Sequence, residues 1–340
     1  MEDFIRGLPK CEIHMHICGN TEPEMIFKLA QRNNLKVNYN SPEELREAYN
    51  FKNLEEFLNL FHEGTSVVRT EEDIYDITND YFIHAHNDHV VHAELYYSPD
   101  EFMESINMSV EDAMNGVIRA MNDAQKNFGI SSSIVLCCER HKPEERNTEI
   151  LKLIGPWKKY ISAVGLASAE IPFPPKLFVN HFELSRKEGF KVSTHAGEEG
   201  PPDYIYQALD LLKADRIDHG NSAINDPDLM KRLANEKIPC TMCPLSNLRL
   251  KVINSLEEHP IKKFLDAGIL ASINSDDPSF FRGYINDNYI QTQKALNLSR
   301  DDIIKIAKNS FISSYLSDEE KQKGIEMIDE YVRTFDEKNT

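Results

Sequence analysis

Four histidines and four acidic residues stand at or just beyond the ends of short apolar runs. His14 and His16 close the run that begins at Cys11, and His195 closes Phe190–His195, ahead of Gly197, Glu198 and Glu199. His219 closes Arg216–His219, and Asp276 and Asp277 follow Ile269–Asn274. Residues two apart on a strand face the same side, so His14 and His16 can present both imidazoles together. Neutral imidazoles with carboxylates are the ligand types that suit zinc or another divalent transition ion. Such an ion would make water nucleophilic near neutral pH. Taken singly, each motif is ordinarily structural: a His-x-His is often two hydrogen-bonded histidines, and a Ser-Asp-Asp-Pro turn often faces only solvent. Independent run ends that all carry complementary ligand types point instead to a metal centre. The charge pattern agrees, since Asp276 and Asp277 near Glu198 at a partly buried rim are costly unless a cation neutralises them.

Bringing these residues together requires elements that end at one rim. Eight short apolar runs read as strands: Cys11–Ile17, Val90–Tyr97, Ser133–Cys138, Ile161–Ala167, Phe190–His195, Arg216–His219, Pro239–Cys243 and Ile269–Asn274. Helical patterns separate most of them, for example Val110–Phe128, Tyr204–Leu212, Pro227–Glu236 and Pro260–Ala267. Alternating strands and helices predict an α/β fold, a closed parallel (β/α)8 TIM-type barrel with extra helices after the first strand, in Ser41–His86. An open doubly wound sheet is the alternative, but it usually carries a phosphate-binding glycine loop near its start, and none is present. No repeat, low-complexity tract or linker-like composition shift divides the chain, so residues 1–340 are expected to form a single domain.

The 38 Lys and Arg against 56 Asp and Glu give a net charge of -18. Such a surface repels phosphate backbones and anionic lipid, which argues against nucleic-acid and membrane partners. There is no basic leader followed by an apolar core and no apolar run of membrane-spanning length, so a cytoplasmic protein acting on a small molecule is expected, with homo-oligomerisation left open. Six scattered cysteines read as buried thiols of a reducing compartment. His92-Ala93-Glu94 and Pro239-Cys240-Thr241-Met242-Cys243 contain the pieces of a cytidine-deaminase zinc signature. They lie far apart in apolar strand-like runs, so the match reads as accidental, with Cys240 and Cys243 as packing thiols.

Several segments, taken in order, resemble the adenosine/adenine deaminase family of metal-dependent amidohydrolases. They are Leu8 to His16 (Leu-Pro-Lys-Cys-Glu-Ile-His-Met-His), Thr194 to Glu199 (Thr-His-Ala-Gly-Glu-Glu), Arg216 to Gly220 (Arg-Ile-Asp-His-Gly), Cys243 to Asn247 (Cys-Pro-Leu-Ser-Asn) and Asn274 to Pro278 (Asn-Ser-Asp-Asp-Pro). The adenine deaminase branch is the nearer one, on Leu58–Glu71, Glu199-Gly200-Pro201-Pro202, Pro278–Tyr284 and the Ser168-Ala169-Glu170 ending of the fourth strand. The resemblance implies a zinc-containing barrel that hydrolyses the exocyclic amine of a 6-aminopurine, converting adenine to hypoxanthine and ammonia. It implies one zinc ion per chain, with ligands His14, His16, His195 and Asp276 plus a water. It further implies Glu198 as proton donor to N1, His219 as the group that orients the attacking water, Asp277 as a contact to N7, and Glu170 as a substrate contact. Adenosine, an N6-substituted adenine, or a catalytically silent metal-binding relative are the alternatives. Cys18 and Ala167 stand where the family usually has acidic residues, which bears on substrate identity and not on hydrolysis.

Overall fold

The computed structural model describes residues 1–52 and 54–339, and the apolar runs pair as their spacing predicts. The strands are β1 Lys10–His16, β2 Val90–Tyr97, β3 Ser131–Glu139, β4 Ile161–Ala167, β5 Lys191–Ala196, β6 Arg216–His219, β7 Pro239–Met242 and β8 Leu270–Ile273. They form one sheet in sequence order with every neighbouring pair parallel. The residues just past β8 return to β1 through a parallel bridge between Met15 and Asp276. Its hydrogen bonds run from His16 N to Asp276 O at 2.8 Å and from Asp276 N to His14 O at 3.1 Å. Asn274 adds a side-chain stitch, accepting from Ile13 N at 2.9 Å. The result is the expected (β/α)8 barrel. β7 and β8 end one residue earlier than predicted, because Pro244 begins a helix and Asn274 spends its side chain on the closure.

Strand alternation sorts side chains into two environments. Outward residues such as Leu95, Leu136, Val164, Leu166, Val192 and Ile217 are buried against the surrounding helices. The helix Val110–Phe128 shows why these segments pack there: Ala113, Met114, Val117, Ala120, Met121 and Ala124 recur at helical spacing and are all buried. Ser109 caps its start by accepting from Asp112 N at 3.0 Å, and Gly129, at φ 73°, ends it. Each fully buried Val, Leu, Ile or Met side chain contributes about 1.5–3 kcal/mol relative to exposure.

Inward residues make a small apolar cluster, Tyr96, Val135, Cys137, Ala163 and Ala167, beside a polar network. The Arg216 guanidinium, wholly buried, meets Glu94 Oε2 at 2.5 Å, donates to Ser193 Oγ at 3.1 Å and to Ser313 O at 3.2 Å, and lies 4.4 Å from the centre of the Tyr315 ring. The other Glu94 oxygen accepts from Tyr315 N.

The expected elaboration after β1 comprises helices Pro42–Ala48, Leu54–Thr65 and Glu71–Asn87. Ser41 and Thr70 cap the first and last of these. The middle helix sets Phe57 and Phe61 over the barrel mouth against Phe281 and Phe280, with ring centres 5.0 and 5.8 Å apart. Among the described residues, no helix is long and apolar enough to cross a membrane.

Candidate active site at the barrel mouth

β1, β5, β6 and the turn after β8 bring His14, His16, His195, His219 and Asp276 to one rim. His195 Nε2 lies 3.1 Å from His14 Nε2 and 3.2 Å from His16 Nε2. Asp276 Oδ1 is 3.5 Å from His14 Nε2 and 3.4 Å from His16 Nε2. His219 Nε2 sits 3.5 Å from Glu198 Oε2 and 3.8 Å from Asp276 Oδ2. His219 and Asp276 both hold left-handed backbone at φ 64°, a conformation that costs non-glycine residues about 1–3 kcal/mol and is tolerated where the surroundings enforce it. For Asp276 the closing bridge to β1 does so. Glu12 adds to this by accepting from Ser275 N at 3.0 Å and from Ser275 Oγ at 2.5 Å.

The hydrogen bonds behind the rings assign their tautomers. Thr241 Oγ1 donates to Asp218 Oδ1 at 3.0 Å, so at 2.9 Å from His14 Nδ1 the same oxygen accepts. Asp218 Oδ2 lies 3.2 Å from His195 Nδ1, and the Asp218 carboxylate also receives Tyr96 OH and Ser193 Oγ at 2.7 Å each. Burial alone would raise the Asp218 carboxyl, but its contact with His195 and the charges of His14 and Arg216 hold it well below the usual range. Both rings therefore carry hydrogen at Nδ1 and turn bare Nε2 lone pairs toward each other across 3.1 Å. Two facing lone pairs with a carboxylate beside them repel unless a cation lies among them. Burial and the neighbouring imidazoles pull His14 well below its ordinary value and His16 to about 3, so these rings are neutral and able to ligate. The donor set of three imidazoles and one carboxylate fits zinc or a similar divalent ion. An overlapping group, His14, His219, Cys243 and Asp276, also lies close together. Cys243 Sγ, however, approaches His14 at Nδ1, at 3.5 Å, on the side already engaged by Thr241.

His219 is held differently. Ile261 N donates to His259 Nδ1 at 3.3 Å, so His259 donates from Nε2 to Asn247 Oδ1 at 3.2 Å. That turns Asn247 Nδ2 toward His219 Nδ1 at 3.5 Å and leaves the His219 hydrogen on Nε2, facing Glu198 and Asp276. His219 is thus a donor into the site, where His14 and His195 offer lone pairs. The sequence reading singled out Asn247 only as part of a motif and missed His259, which no spacing signal marks.

Glu198 and Asp277 complete the wall. Burial pushes the Glu198 carboxyl well above its usual range, and Asp276, Glu170 and Glu199 add to the shift. Burial, with Asp276 and Glu198, does the same to Asp277. Gly19 leaves room for Asp277, since a Cβ there would stand 2.0 Å from Asp277 Oδ1. Glu170 lies elsewhere than the expected substrate contact. Its carboxylate accepts from Gly197 N at 2.9 Å, Glu198 N at 2.7 Å and Glu199 N at 3.2 Å, and it does not line the cavity. The structure makes it the residue that holds the Glu198 loop. Gly197, at φ 74°, and Gly200, where a Cβ would stand 2.4 Å from Glu170 Oε2, permit that close approach.

The resulting cavity encloses about 280 Å³. His16, His195, His219, Glu198, Asp276 and Asp277 form one side, Phe57, Leu58, Phe61 and Phe281 the roof, and Cys18, Glu101, Glu139, His141 and Ser168 the far end, with Ala167 also in the lining. The two departures from the family pattern, Cys18 and Ala167, therefore both face this space. The cytidine-deaminase-like pieces do not meet: His92 Nδ1 bonds Ser131 Oγ at 2.7 Å, Glu94 pairs with Arg216, and Cys240 is packed in the outer core.

Comparison with known proteins agrees with this geometry. An adenine deaminase of Acinetobacter baylyi is 48% identical over 328 residues, 96% of this chain and 98% of that protein. An adenine deaminase of Caulobacter vibrioides is 45% identical over 329 residues, 97% of this chain and 95% of that protein. The crystal structure of adenine deaminase from Arthrobacter aurescens superposes with a TM-score of 0.93 at 37% identity, covering 96% of this chain and 99% of that one. The profile of the family described as Adenosine deaminase, whose members are metal-dependent, matches residues 9–331, and the chain belongs to that family.

Proposed function

We propose that the chain catalyses the hydrolytic deamination of adenine to hypoxanthine and ammonia. One observation carries the reading: three imidazoles and a carboxylate converge beside a buried carboxyl, Glu198, whose pKa burial raises, all on one wall of a cavity of about 280 Å³. The names of the similar proteins, adenine deaminases over nearly the whole chain, support the free base as substrate.

One divalent ion per chain, zinc by the chemistry of the donor set, would be held by His14, His16, His195 and Asp276. When bound it supplies Lewis acidity and a water pKa lowered to about 7. The residues around it account for the protons. Water adds to C6 of the purine while the protonated Glu198 gives its hydrogen to N1, which takes up the electron pair displaced from the ring. His219 orients the attacking oxygen by donating from Nε2. The C6–N bond then breaks; one hydrogen of the added water leaves with the amine as ammonia, and the other returns to the Glu198 carboxylate. N1 keeps the proton it received, and C6 keeps the oxygen. Asp277, protonated by its surroundings, donates to N7 and fixes the orientation of the base. Glu170 contributes through the loop amides, and residues 1–340 act as one barrel domain. The six cysteines, all unpaired, support a cytoplasmic location.

The test follows ultraviolet absorbance with adenine, adenosine and N6-methyladenine as substrates for the zinc-loaded protein. Adenine is expected to turn over fastest; faster conversion of adenosine would reassign the substrate. Glu198→Gln should retain zinc and lose about 10²–10⁴-fold in kcat, the usual contribution of a positioned general acid. Near wild-type turnover in that variant would remove Glu198 from the role.

A further inference from the structure

Behind the loop that carries Glu198 lies a second cavity, of about 320 Å³. Its rim includes Asn225, Glu258 and Lys263, which are exposed, and it reaches inward past Ser222 to the buried Asn221. Among the described residues, Glu198 alone lines both cavities. Three buried polar atoms meet here without a hydrogen-bond partner among the described residues: Glu198 Oε1, Asn221 Oδ1 and Ser222 Oγ. Asn221 is 5% exposed, and its amide nitrogen is committed to Asn247 Oδ1 at 2.6 Å, so its oxygen is held on the other side. An unpaired buried acceptor keeps the full cost of its lost hydration. Several of them around a polar space connected to solvent match the conditions under which water, or another small hydrogen-bonding molecule, occupies a protein interior.

We propose that this second cavity is a hydrated side passage by which ammonia leaves from Glu198 to solvent while the purine still fills the front cavity. The proposal rests on the deaminase reading given above. C6 adjoins the ring nitrogen that Glu198 protonates, so the departing amine is released against the wall that the two cavities share. Toward the front, its way out is covered by the purine and by the aromatic roof of Phe57, Phe61 and Phe281. Toward the rear, Asn221 Oδ1 and Ser222 Oγ accept hydrogen bonds, and the carboxylates of Glu199 and Glu258 attract an ammonium ion as it protonates on meeting water, with Lys263 as the opposing charge at the rim.

Product inhibition separates the two exits. With adenine varied at constant ionic strength, hypoxanthine is expected to inhibit competitively and ammonium chloride noncompetitively. Narrowing the passage from its rim with Asn225→Trp, or from its side with Ile224→Trp, should weaken ammonium inhibition about 3–10-fold, the value of one lost hydrogen bond, and lower kcat without raising KM for adenine. Ammonium competing with adenine, or both variants matching the wild type, would overturn the proposal. Hypoxanthine formation by the wild type tests the reaction itself. A high-resolution crystal structure of the zinc-loaded protein provides a readout independent of substrate: ordered water on Asn221 Oδ1 and Glu198 Oε1 is expected, and a dry cavity would overturn the passage whatever the enzyme deaminates.

Discussion

The lower barrel interior and the barrel mouth are built from the same strands, yet they handle buried charge in opposite ways. Below, Arg216 faces Glu94, and backbone and hydroxyl groups take up the remaining atoms of both. Charges of opposite sign are interleaved, and the set is complete without any outside partner. At the rim, like groups converge: lone pair faces lone pair between His14 and His195, with the Asp276 carboxylate beside them. A region whose charges the protein itself balances is structural. One whose charges it leaves unbalanced is prepared for a ligand.

The contrast is open to attack at several points. The largest effect should come from the mouth: Asp276→Ala, or extraction with a strong chelator, should bring turnover to background, with the chelated wild type recovering on added zinc and metal analysis following activity. An Asp276→Ala variant that keeps both its metal and its activity would remove the distinction. Glu94→Ala strikes the balanced region and leaves Arg216 buried without its partner, which should cost about 3–5 kcal/mol of stability in denaturant titration. If the protein is no less stable, the lower network is not the self-sufficient plug described here. The smallest effect should follow Asn247→Ala, which frees His219 to take either tautomer. It should lower kcat about 10–100-fold, as expected for a group acting through another, while zinc content stays at the wild-type level.

Much of the mouth was legible in the sequence because its residues sit at strand ends, where period-two spacing and a following turn fix direction. His14, His16, His195, His219, Asp276 and Asp277 were all placed from such ends, and the helical region after β1 was recognised from its length and periodicity. What remained hidden depends on contacts that no local pattern encodes. Glu170 was expected at the substrate, but its oxygens are claimed by three amides some 27–29 residues later in the chain. His259 acts through Asn247; its Ile261 contact is local, but the bond to Asn247, on a separate helix, is marked by no pattern around either residue. Cys243 was read as a packing thiol together with Cys240. Only the position just beyond the end of β7 brings Cys243 near His14, while Cys240 packs in the outer core.

The bridge between Met15 and Asp276 has a mechanical consequence. Asp276, the proposed carboxylate ligand, also supplies through its own peptide group the hydrogen bonds that fasten the beginning of the sheet to its end. An ion held by His14, His16 and Asp276, as proposed above, would act as a rivet across that seam and brace a closure that the backbone has already made. Amide exchange at His16 and Asp276 should slow together when zinc is added.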